Sequence, residues 1–356
     1  MLQTEAKIFG ALEKIVLAEG WDAVSVARVA KQAGLSVGAI YSRSENHQEL
    51  ANNLWSSRLQ AALEDRLSAV LGAAHSGNAD ALQKAFANLE SHEPKTIIGL
   101  ELLLASLFQP DMAEVIGSDF SKFLAKHINT EANEELQRHN SAVNMLVLSF
   151  AFGRLLALRA AELPPLSKLD AEVLVGYPSA SPRDLDAPPV EIRVRNISDS
   201  PKLSSAEISA LLRRLEKSGY SGATVSRLAR SAGLTPGELF GRFGSKESLI
   251  AEICHDSILP PGQVWLDYME RSGDADRASV RARFMKDFLS EDHRGDWRLT
   301  LELARVSKSV PALKGFRTPP DNLQRTHTGV MLIATFFPKA LNRLPFLGPF
   351  ESGVAT

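Results

Sequence analysis

The residue types that most often carry out catalysis form no recognisable arrangement in this sequence. The eight histidines lack the spacing of metal ligands. The single cysteine, Cys254, is followed by His255 and Asp256 without any further support for a nucleophile. No glycine-rich loop of the phosphate-binding kind is present. We therefore expect no enzyme, no metal site and no cofactor.

The residues best suited to a binding function form a block of small, polar and basic side chains, and this block occurs twice in the sequence. AGLSVGAIYSRSENHQEL fills positions 33–50, and AGLTPGELFGRFGSKESL fills positions 232–249, at an offset of 199 residues. The alignment runs without a gap over thirty-one positions, from 20 to 50. The matched pairs include Gly20 with Gly219, Trp21 with Tyr220, Ser25 with Thr224, Arg28 with Arg227, Gly38 with Gly237, Tyr41 with Phe240 and Arg43 with Arg242.

A weaker repeat continues beyond this block. Glu101, Ser106 and Pro110 match residues 302, 307 and 311 at an offset of 201, and MLVLSF at 145 resembles MLIATF at 331. The period is too long for a solenoid, so we infer two related units of about 160 residues each in tandem. We expect Glu101 and Glu302 to have surface or structural roles.

The spacing of apolar residues predicts three helices in each copy of the block. In copy one the first helix covers about 3–18, a glycine caps its end at position 20, and the aromatic residue that follows is expected to fill the small core. Ser25 and Ser36 are the expected N-caps of the second and third helices. The corresponding residues of copy two are Gly219, Tyr220, Thr224 and Thr235, with Pro236 at the favoured first position of the third helix.

Two short helices joined by a tight glycine turn form a helix-turn-helix, whose second helix enters the major groove of DNA N-terminus first. Backbone N–H groups at that capped end suit phosphate, and small residues at Ser36, Val37 and Gly38 let the backbone approach the bases. Ile40 and Leu239 are expected to point into the core, with the next aromatic residue at the groove edge. The alternative is that the motif serves packing alone, and for copy one that it is a structural remnant.

The residues of copy two, TVSRLARSAGLTPGELFGRFGSKESLI, resemble the TetR family of bacterial transcriptional repressors. Copy one, SVARVAKQAGLSVGAIYSRSENHQEL, departs from the pattern. Ser44 stands where the family has phenylalanine, and Asn46 and His47 replace serine and lysine. The resemblance covers about 50 residues in each copy.

The resemblance implies contacts with double-stranded operator DNA from both copies. For Arg28 and Arg227 a solvated helix face is an equal alternative, and Gly38 and Gly237 suit a close approach either to DNA or to a neighbouring helix. The implied residues are Ser25, Arg28, Ser36, Val37, Gly38, Tyr41, Arg43, His47, Thr224, Arg227, Thr235, Pro236, Gly237, Phe240, Arg242 and Lys246.

The rest of each copy has helical periodicity, and the resemblance implies a helical body that binds a small, apolar effector. If only one pocket exists, we expect it in copy one, whose stretch 97–158 is the longer and more apolar. Aromatic and methionine residues at helical spacing are the expected pocket lining, although they also suit an ordinary core. These residues are Phe108, Met145, Phe150 and Phe152, and the predicted lining also includes Leu104.

Strand-like alternation is rare, so the expected class is all-α. Residues 161–203 contain seven prolines and are expected to form a linker, in which VEIRVRNI favours a short extended piece. The apolar run 143–158 is short and interrupted by Arg154, which favours a core helix over a membrane span. The predicted divisions are 1–50 for head one, 51–163 for body one, 164–203 for the linker, 204–250 for head two and 251–356 for body two.

Two heads in one chain predict a covalent pseudo-dimer, whose operator need not be palindromic. The alternative is a chain that still dimerises and presents four heads. Residues 2–54 carry a net charge of −1, whereas residues 202–254 carry +3. Because phosphate contacts supply much of the affinity for DNA, head two is expected to bind more strongly and head one to be an auxiliary reader or inactive.

The composition is consistent with this interpretation. The formal net charge is −2, so any basic footprint for nucleic acid must be local. One cysteine and the lack of a secretory signal favour a cytoplasmic location. The leading hypothesis is a sequence-specific repressor released by an effector. The alternative is a DNA-binding protein without an effector, whose bodies serve only dimerisation or recruitment of a partner.

Overall fold

A computed structural model of the protein describes residues 2–91, 93–129, 135–158, 163–176, 190–259, 261–273, 277–316 and 322–340. Within these ranges the regular elements are helices, apart from one isolated antiparallel bridge between Arg195 and Ile258. The expected all-α class is confirmed.

The first half of the chain contains helices α1 to α11. Single π-helical turns at Trp55–Leu59 and Ala113–Gly117 follow α4 and α8. The bounds are α1 Leu2–Glu19, α2 Val26–Ala33, α3 Val37–Tyr41, α4 His47–Leu54, α5 Gln60–His75, α6 Ala79–Leu89, α7 Pro94–Ser106, α8 Pro110–Met112, α9 Ser118–His127, α10 Glu135–Leu158 and α11 Lys168–Val175.

The second half contains helices α12 to α19. Short 3-10 helices precede and follow α18, at Glu291–His293 and Pro311–Phe316. The bounds are α12 Ser205–Gly222, α13 Val225–Ser231, α14 Pro236–Phe243, α15 Lys246–Ser257, α16 Pro261–Arg271, α17 Arg277–Phe288, α18 Arg294–Val306 and α19 Asn322–Phe336.

The chain divides into two compact units. The first comprises residues 1–126 and 155–176, and the second comprises residues 127–154 and 177–356. In the first unit α1 packs against α2 and α7, and α5 packs against α6 and α7. In the second unit α12 packs against α13 and α18, and α18 packs against α19. The finer division into heads, bodies and a linker stays a prediction.

Helix α10 carries the apolar run that was expected to form a core helix. The helix is long and apolar enough to cross a membrane, but 89% of its most apolar stretch is buried inside the protein. Arg154, which interrupts the run, is itself buried. The expected core helix is therefore confirmed.

Within the second unit, α10 crosses α19 at two glycines. A Cβ atom at Gly153 would overlap the backbone carbonyl of Arg325, and a Cβ atom at Gly329 would overlap the carbonyl of Ser149. Each glycine thus faces the residue four positions before the other glycine, so the contact is reciprocal. Only glycine allows the two backbones to come this close.

The segment expected to be a linker contains a helix. Ser167 caps α11 by accepting a hydrogen bond from the Asp170 backbone N–H at 3.0 Å, and Ala171 and Leu174 are buried. The prolines flank this helix rather than interrupt it, which explains how the linker prediction missed it. The expected extended piece is confirmed, since the Asn196 N–H donates to the Ser257 carbonyl at 3.0 Å. Residues 177–189 of the predicted linker lie outside the described residues.

Candidate DNA-binding heads

Head one, formed by α1–α4, and head two, formed by α12–α15, have the same sequence of helices and turns. The backbone takes positive φ at Gly20, directly after α1, and at Gly219, which breaks α12 three residues before its end, at 83° and 64°. The aromatic residues that follow, Trp21 and Tyr220, are buried as expected. Gly34 and Gly233 make the tight turn before the third helix, also with positive φ.

The second helix of each head begins at its predicted cap. The Ser25 hydroxyl accepts from the Arg28 N–H at 3.3 Å, and the Thr224 hydroxyl accepts from the Arg227 N–H at 3.4 Å. The arginine side chains bind back to the turn before the helix. The Arg28 guanidinium donates to the Ala23 carbonyl and pairs with Glu19, and the Arg227 guanidinium donates to the Gly222 carbonyl. Both arginines therefore brace the heads, and a DNA contact for either stays a prediction.

The third, recognition helix is also capped as predicted, more strongly in head two. In head one the Ser36 hydroxyl accepts from the Ala39 N–H at 3.1 Å. In head two Thr235 and Glu238 form a reciprocal capping box, and Pro236 occupies the first turn. The Thr235 N–H donates to the Glu238 carboxylate at 2.7 Å, and this hydrogen bond lowers the pKa of Glu238 below its ordinary value.

The outward surface of each recognition helix carries one large aromatic residue among mostly small side chains. Ile40 and Leu239 are buried as expected, while Tyr41 and Phe240 are 55% and 65% exposed. A Cβ atom at Gly237 would meet nothing within 4 Å, so this glycine is not needed for contact with a neighbouring helix. The remaining predicted contact positions on these surfaces, Ser36, Val37, Gly38, Thr235 and Pro236, are all exposed.

The arginine at the end of each recognition helix is held by its own head. The Arg43 guanidinium donates to the Ala39 carbonyl at 3.0 Å. The Arg242 guanidinium donates to the Lys202 carbonyl at 2.8 Å and pairs with Glu207 at 3.5 Å. Because a guanidinium has five N–H donors, these contacts position each arginine without using all of its donors.

The first residue of α4 and that of α15 occupy matching places against the buried aromatic residue. His47 stacks on Trp21 with ring centroids 5.4 Å apart, and burial lowers the pKa of His47 below 6.5. Lys246 lies 4.0 Å from the Tyr220 ring centre and donates to the Tyr220 carbonyl at 2.6 Å. A permanent cation in head two thus corresponds to an imidazole that burial keeps largely neutral in head one.

A buried carboxylate joins each head to the helix behind it. Glu101 in α7 accepts from the Trp21 N–H at 3.0 Å, and Glu302 in α18 accepts from the Tyr220 N–H at 2.9 Å. Both glutamates are 2% exposed, which excludes the surface role and confirms the structural one. The repeated spacing was visible in the sequence, but the partner of each carboxylate was not, because it is a backbone group some eighty residues away.

The predicted effector residues are divided between the two units. Leu104 and Phe108 lie in the first unit, and Met145, Phe150 and Phe152 lie in the second. Four of the five are fully buried and Phe108 is half-buried, as either a pocket lining or a core would require. Their role in effector binding stays a prediction.

The remaining question is how the structure places the side chains considered for nucleophilic catalysis or metal binding. Cys254 is fully buried, and burial raises the pKa of its thiol far above the ordinary value, which disfavours the reactive thiolate. Among the described residues, no group of three or more His, Cys, Asp and Glu side chains is arranged to hold a metal ion.

Comparison with known proteins gives a match in head two. Residues 208–253 match the family described as bacterial regulatory proteins, tetR family. No curated protein matches the chain. A solved structure of a protein from Streptomyces coelicolor A3(2), named as a candidate transcriptional regulator, is 20% identical and covers 49% of this chain and 97% of that chain, with a TM-score of 0.35. A similarity this weak establishes neither the fold nor the function of this chain. The family match and the helix-turn-helix geometry of head two together identify a DNA-binding transcriptional regulator with a TetR-type head.

Proposed function

We propose that the protein is a cytoplasmic, non-enzymatic repressor that binds an operator with both heads of one chain and is released by a small apolar effector. The observation that carries this proposal is the duplicated head. Each copy has a capped recognition helix with an exposed N-terminus, and each is hydrogen-bonded to its own body through a buried glutamate.

The crossing of α10 and α19 supports the arrangement as a covalent pseudo-dimer, because it packs a helix of the first repeat against a helix of the second. Gly153 belongs to the first repeat and Gly329 to the second, and each faces the residue four positions before the other. A close antiparallel crossing between helices of the two repeats is the kind of contact that an interface between two packed subunits uses. In such an arrangement the recognition helices would meet successive major grooves, roughly 34–36 Å apart.

The net charges of the two heads support head two as the main source of affinity for DNA. Head two carries a net charge of +3 and keeps Lys246, whereas head one carries −1 and has a partly buried His47 in that place. Phosphate neutralisation is the dominant sequence-independent part of DNA affinity. Head one would then act as an auxiliary reader that adds specificity.

Release by an effector requires that the effector bind the two conformations of the repressor with different affinity. The carboxylates of Glu101 and Glu302 offer a route, because a shift of α7 or α18 would pull on the backbone directly after Gly20 or Gly219. By linkage, operator DNA must weaken effector binding by the same factor. If no ligand changes operator affinity, the bodies serve only assembly or partner recruitment.

A matched pair of glycine variants tests the contribution of each head. Gly38 and Gly237 are exposed at the same place in the two recognition helices, and a Cβ atom at either would meet nothing closer than 3.9 Å. Glutamate at these positions leaves the fold intact and sets a carboxylate against the DNA. Because like charges across an interface cost several kcal/mol, we expect Gly237→Glu to weaken operator binding about 100-fold and Gly38→Glu less.

The measurement is fluorescence anisotropy on DNA from the region upstream of the protein's own coding sequence, with the mass of the complex determined in parallel. One chain per operator, with both variants impaired, supports the pseudo-dimer. Two chains per operator, with Gly38→Glu as active as the wild type, would replace it with a dimer that binds through head two. Unchanged binding by both variants would refute the proposed DNA-binding surfaces.

A further inference from the structure

The recognition helix of head two carries a carboxylate where the recognition helix of head one has none. Glu238 is the third residue of α14, and its side chain is exposed. At the offset of 199 residues its counterpart is Ala39, which is half-buried in α3. The proposed operator is a polyanion, so a negative charge on this helix opposes binding unless the carboxylate meets a hydrogen-bond donor on the DNA.

The capping box fixes the position of this carboxylate. Its Oε2 atom accepts hydrogen bonds from the Thr235 N–H at 2.7 Å and from the Thr235 hydroxyl at 2.8 Å. These hydrogen bonds keep the pKa of Glu238 below its ordinary value, so the side chain is ionised at neutral pH. A charged side chain that is already held in place loses little further conformational freedom when it meets a base.

One oxygen of the carboxylate is left for a ligand. Both contacts with Thr235 use Oε2, and within the part of the chain that the structure describes Oε1 has no hydrogen-bond partner. The surface beside it is open, because a Cβ atom at Gly237 would meet no atom within 4 Å. Pro236 and Phe240 are exposed on the same helix. This part of α14 therefore leaves room for the edge of a base to approach.

The major groove offers a donor to a carboxylate on only two of the four bases. These donors are the N4 amino group of cytosine and the N6 amino group of adenine, whereas guanine and thymine present acceptors. Adenine also carries the N7 acceptor beside its amino group, and N7 repels a carboxylate. Phosphate oxygens are negatively charged acceptors and repel it as well. Cytosine is therefore the base that best satisfies the free oxygen of Glu238.

We propose that Glu238 is a specificity-determining residue, which accepts a hydrogen bond from N4 of a cytosine in the half-site of head two. The inference rests on the proposed function, because it requires α14 to lie in the major groove of an operator. Head one has only the methyl group of Ala39 at the matching position, so its half-site lacks this requirement. The two half-sites then differ at this base pair, and the operator is asymmetric there.

The test selects binding sites from random-sequence duplex DNA with the full-length protein, followed by fluorescence anisotropy on the best site. We expect a cytosine at one position of the wild-type motif, and each of the other three bases there should weaken binding about tenfold. Glu238→Gln keeps an oxygen that accepts from the Thr235 N–H. Its amide also matches N6 and N7 of adenine, so the preference should move from cytosine to adenine. Glu238→Ala should bind all four bases with affinities within about threefold of one another.

Ala39→Glu is the matched control, because it places the same side chain at the corresponding position of head one. The Ser36 hydroxyl already accepts from the Ala39 N–H at 3.1 Å, so the new carboxylate can form the same capping box. This variant should leave the cytosine preference that depends on Glu238 unchanged. Loss of that preference in Ala39→Glu would mean that Glu238 is not its source.

The base preference separates a reading role from a capping role. A glutamate that only caps α14 would, when replaced, weaken binding to every sequence by the same factor. If Glu238→Gln and Glu238→Ala both select the wild-type motif, the inference fails while the proposed function stands. If the wild-type protein enriches no motif, both fail. Glu238→Gln is the decisive variant if Glu238→Ala weakens the fold, because it retains the cap.

Discussion

Head one and head two have a similar backbone geometry, but they differ in the side chains that fill their cores and in their charged residues. Both have a positive-φ glycine before a buried aromatic residue, a hydroxyl cap on each short helix and a buried glutamate behind the turn. Head two adds a capping box, a phenylalanine in its core and a lysine over its aromatic ring. Head one has a simple cap, a buried serine in place of that phenylalanine and a stacked histidine.

The comparison separates two requirements of such a head. Local backbone geometry depends on glycine conformation and on caps, and both copies keep the positive-φ glycines at 20 and 219 and at 34 and 233 and the hydroxyl caps of the two short helices. Charge and core filling can change without altering that geometry, and these are the features in which the copies differ. A head can therefore keep its shape while its affinity for a polyanion falls.

The largest expected effect concerns the two buried glutamates. Glu302 also pairs with Arg305, at 2.7 Å and 3.0 Å, and both side chains are at most 3% exposed. The place of Arg305 in the first repeat, at the offset of 201, is taken by Leu104. Glu302→Ala should cost about 3–5 kcal/mol because it removes both an ion-pair partner of the buried Arg305 and the acceptor of the Tyr220 N–H. Glu101→Ala, which removes the acceptor of the Trp21 N–H, should cost about 1–3 kcal/mol.

Urea denaturation would measure both losses, and hydrogen exchange at residues 20–50 and 219–249 would identify the head affected. Glu302→Gln is the control, since its amide oxygen still accepts from the Tyr220 N–H while the charge is lost. If Glu101→Ala were as damaging as Glu302→Ala, the ion pair with Arg305 would add nothing to stability.

A smaller effect is expected when His47 and Lys246 are exchanged. His47→Lys gives head one a permanent cation at the place where head two has one, and Lys246→His removes it from head two. On operator DNA, we expect the slope of log affinity against log salt to steepen by about one unit in the first variant and to flatten by about one unit in the second. Slopes that do not move would mean that neither position faces a phosphate in the complex.

The smallest effect is the dependence of head one on pH. Burial lowers the pKa of His47 from 6.5, so between that value and the lowered one the unfolded state binds more protons than the folded state. The stability of head one should therefore fall as the pH drops from 6.5 through the folded-state pKa. Head two has Lys246 in that place and lacks this contribution.

Hydrogen exchange within residues 20–50, compared at about pH 7.5 and about pH 5.5, would detect this loss. His47→Gln is the matched control, because it keeps a polar side chain that does not titrate. An equal acid response in the wild type and in this variant would assign the effect to other groups of head one.

The sequence alone predicted the features that depend on local chemistry. Caps at Ser25, Ser36 and Thr235, the glycine turns and the buried Ile40 all follow from residue types at fixed spacing, and all are confirmed. The departure at Ser44 was also visible, but its hydrogen bond with Asn53 was not, because spacing does not show that the turn after α3 packs against α4. For the same reason the hydrogen bond between Glu101 and Trp21 could not be derived from spacing.

The crossing of α10 and α19 has a genetic consequence. In a protein assembled from two identical chains, one codon change would alter the residue in both chains at once. Here Gly153 and Gly329 are encoded separately, so an alanine can be introduced on one side, on the other, or on both. The interaction energy across this crossing is thus accessible to a double-mutant cycle within a single gene, free of the concentration dependence that complicates the same experiment in a dimer.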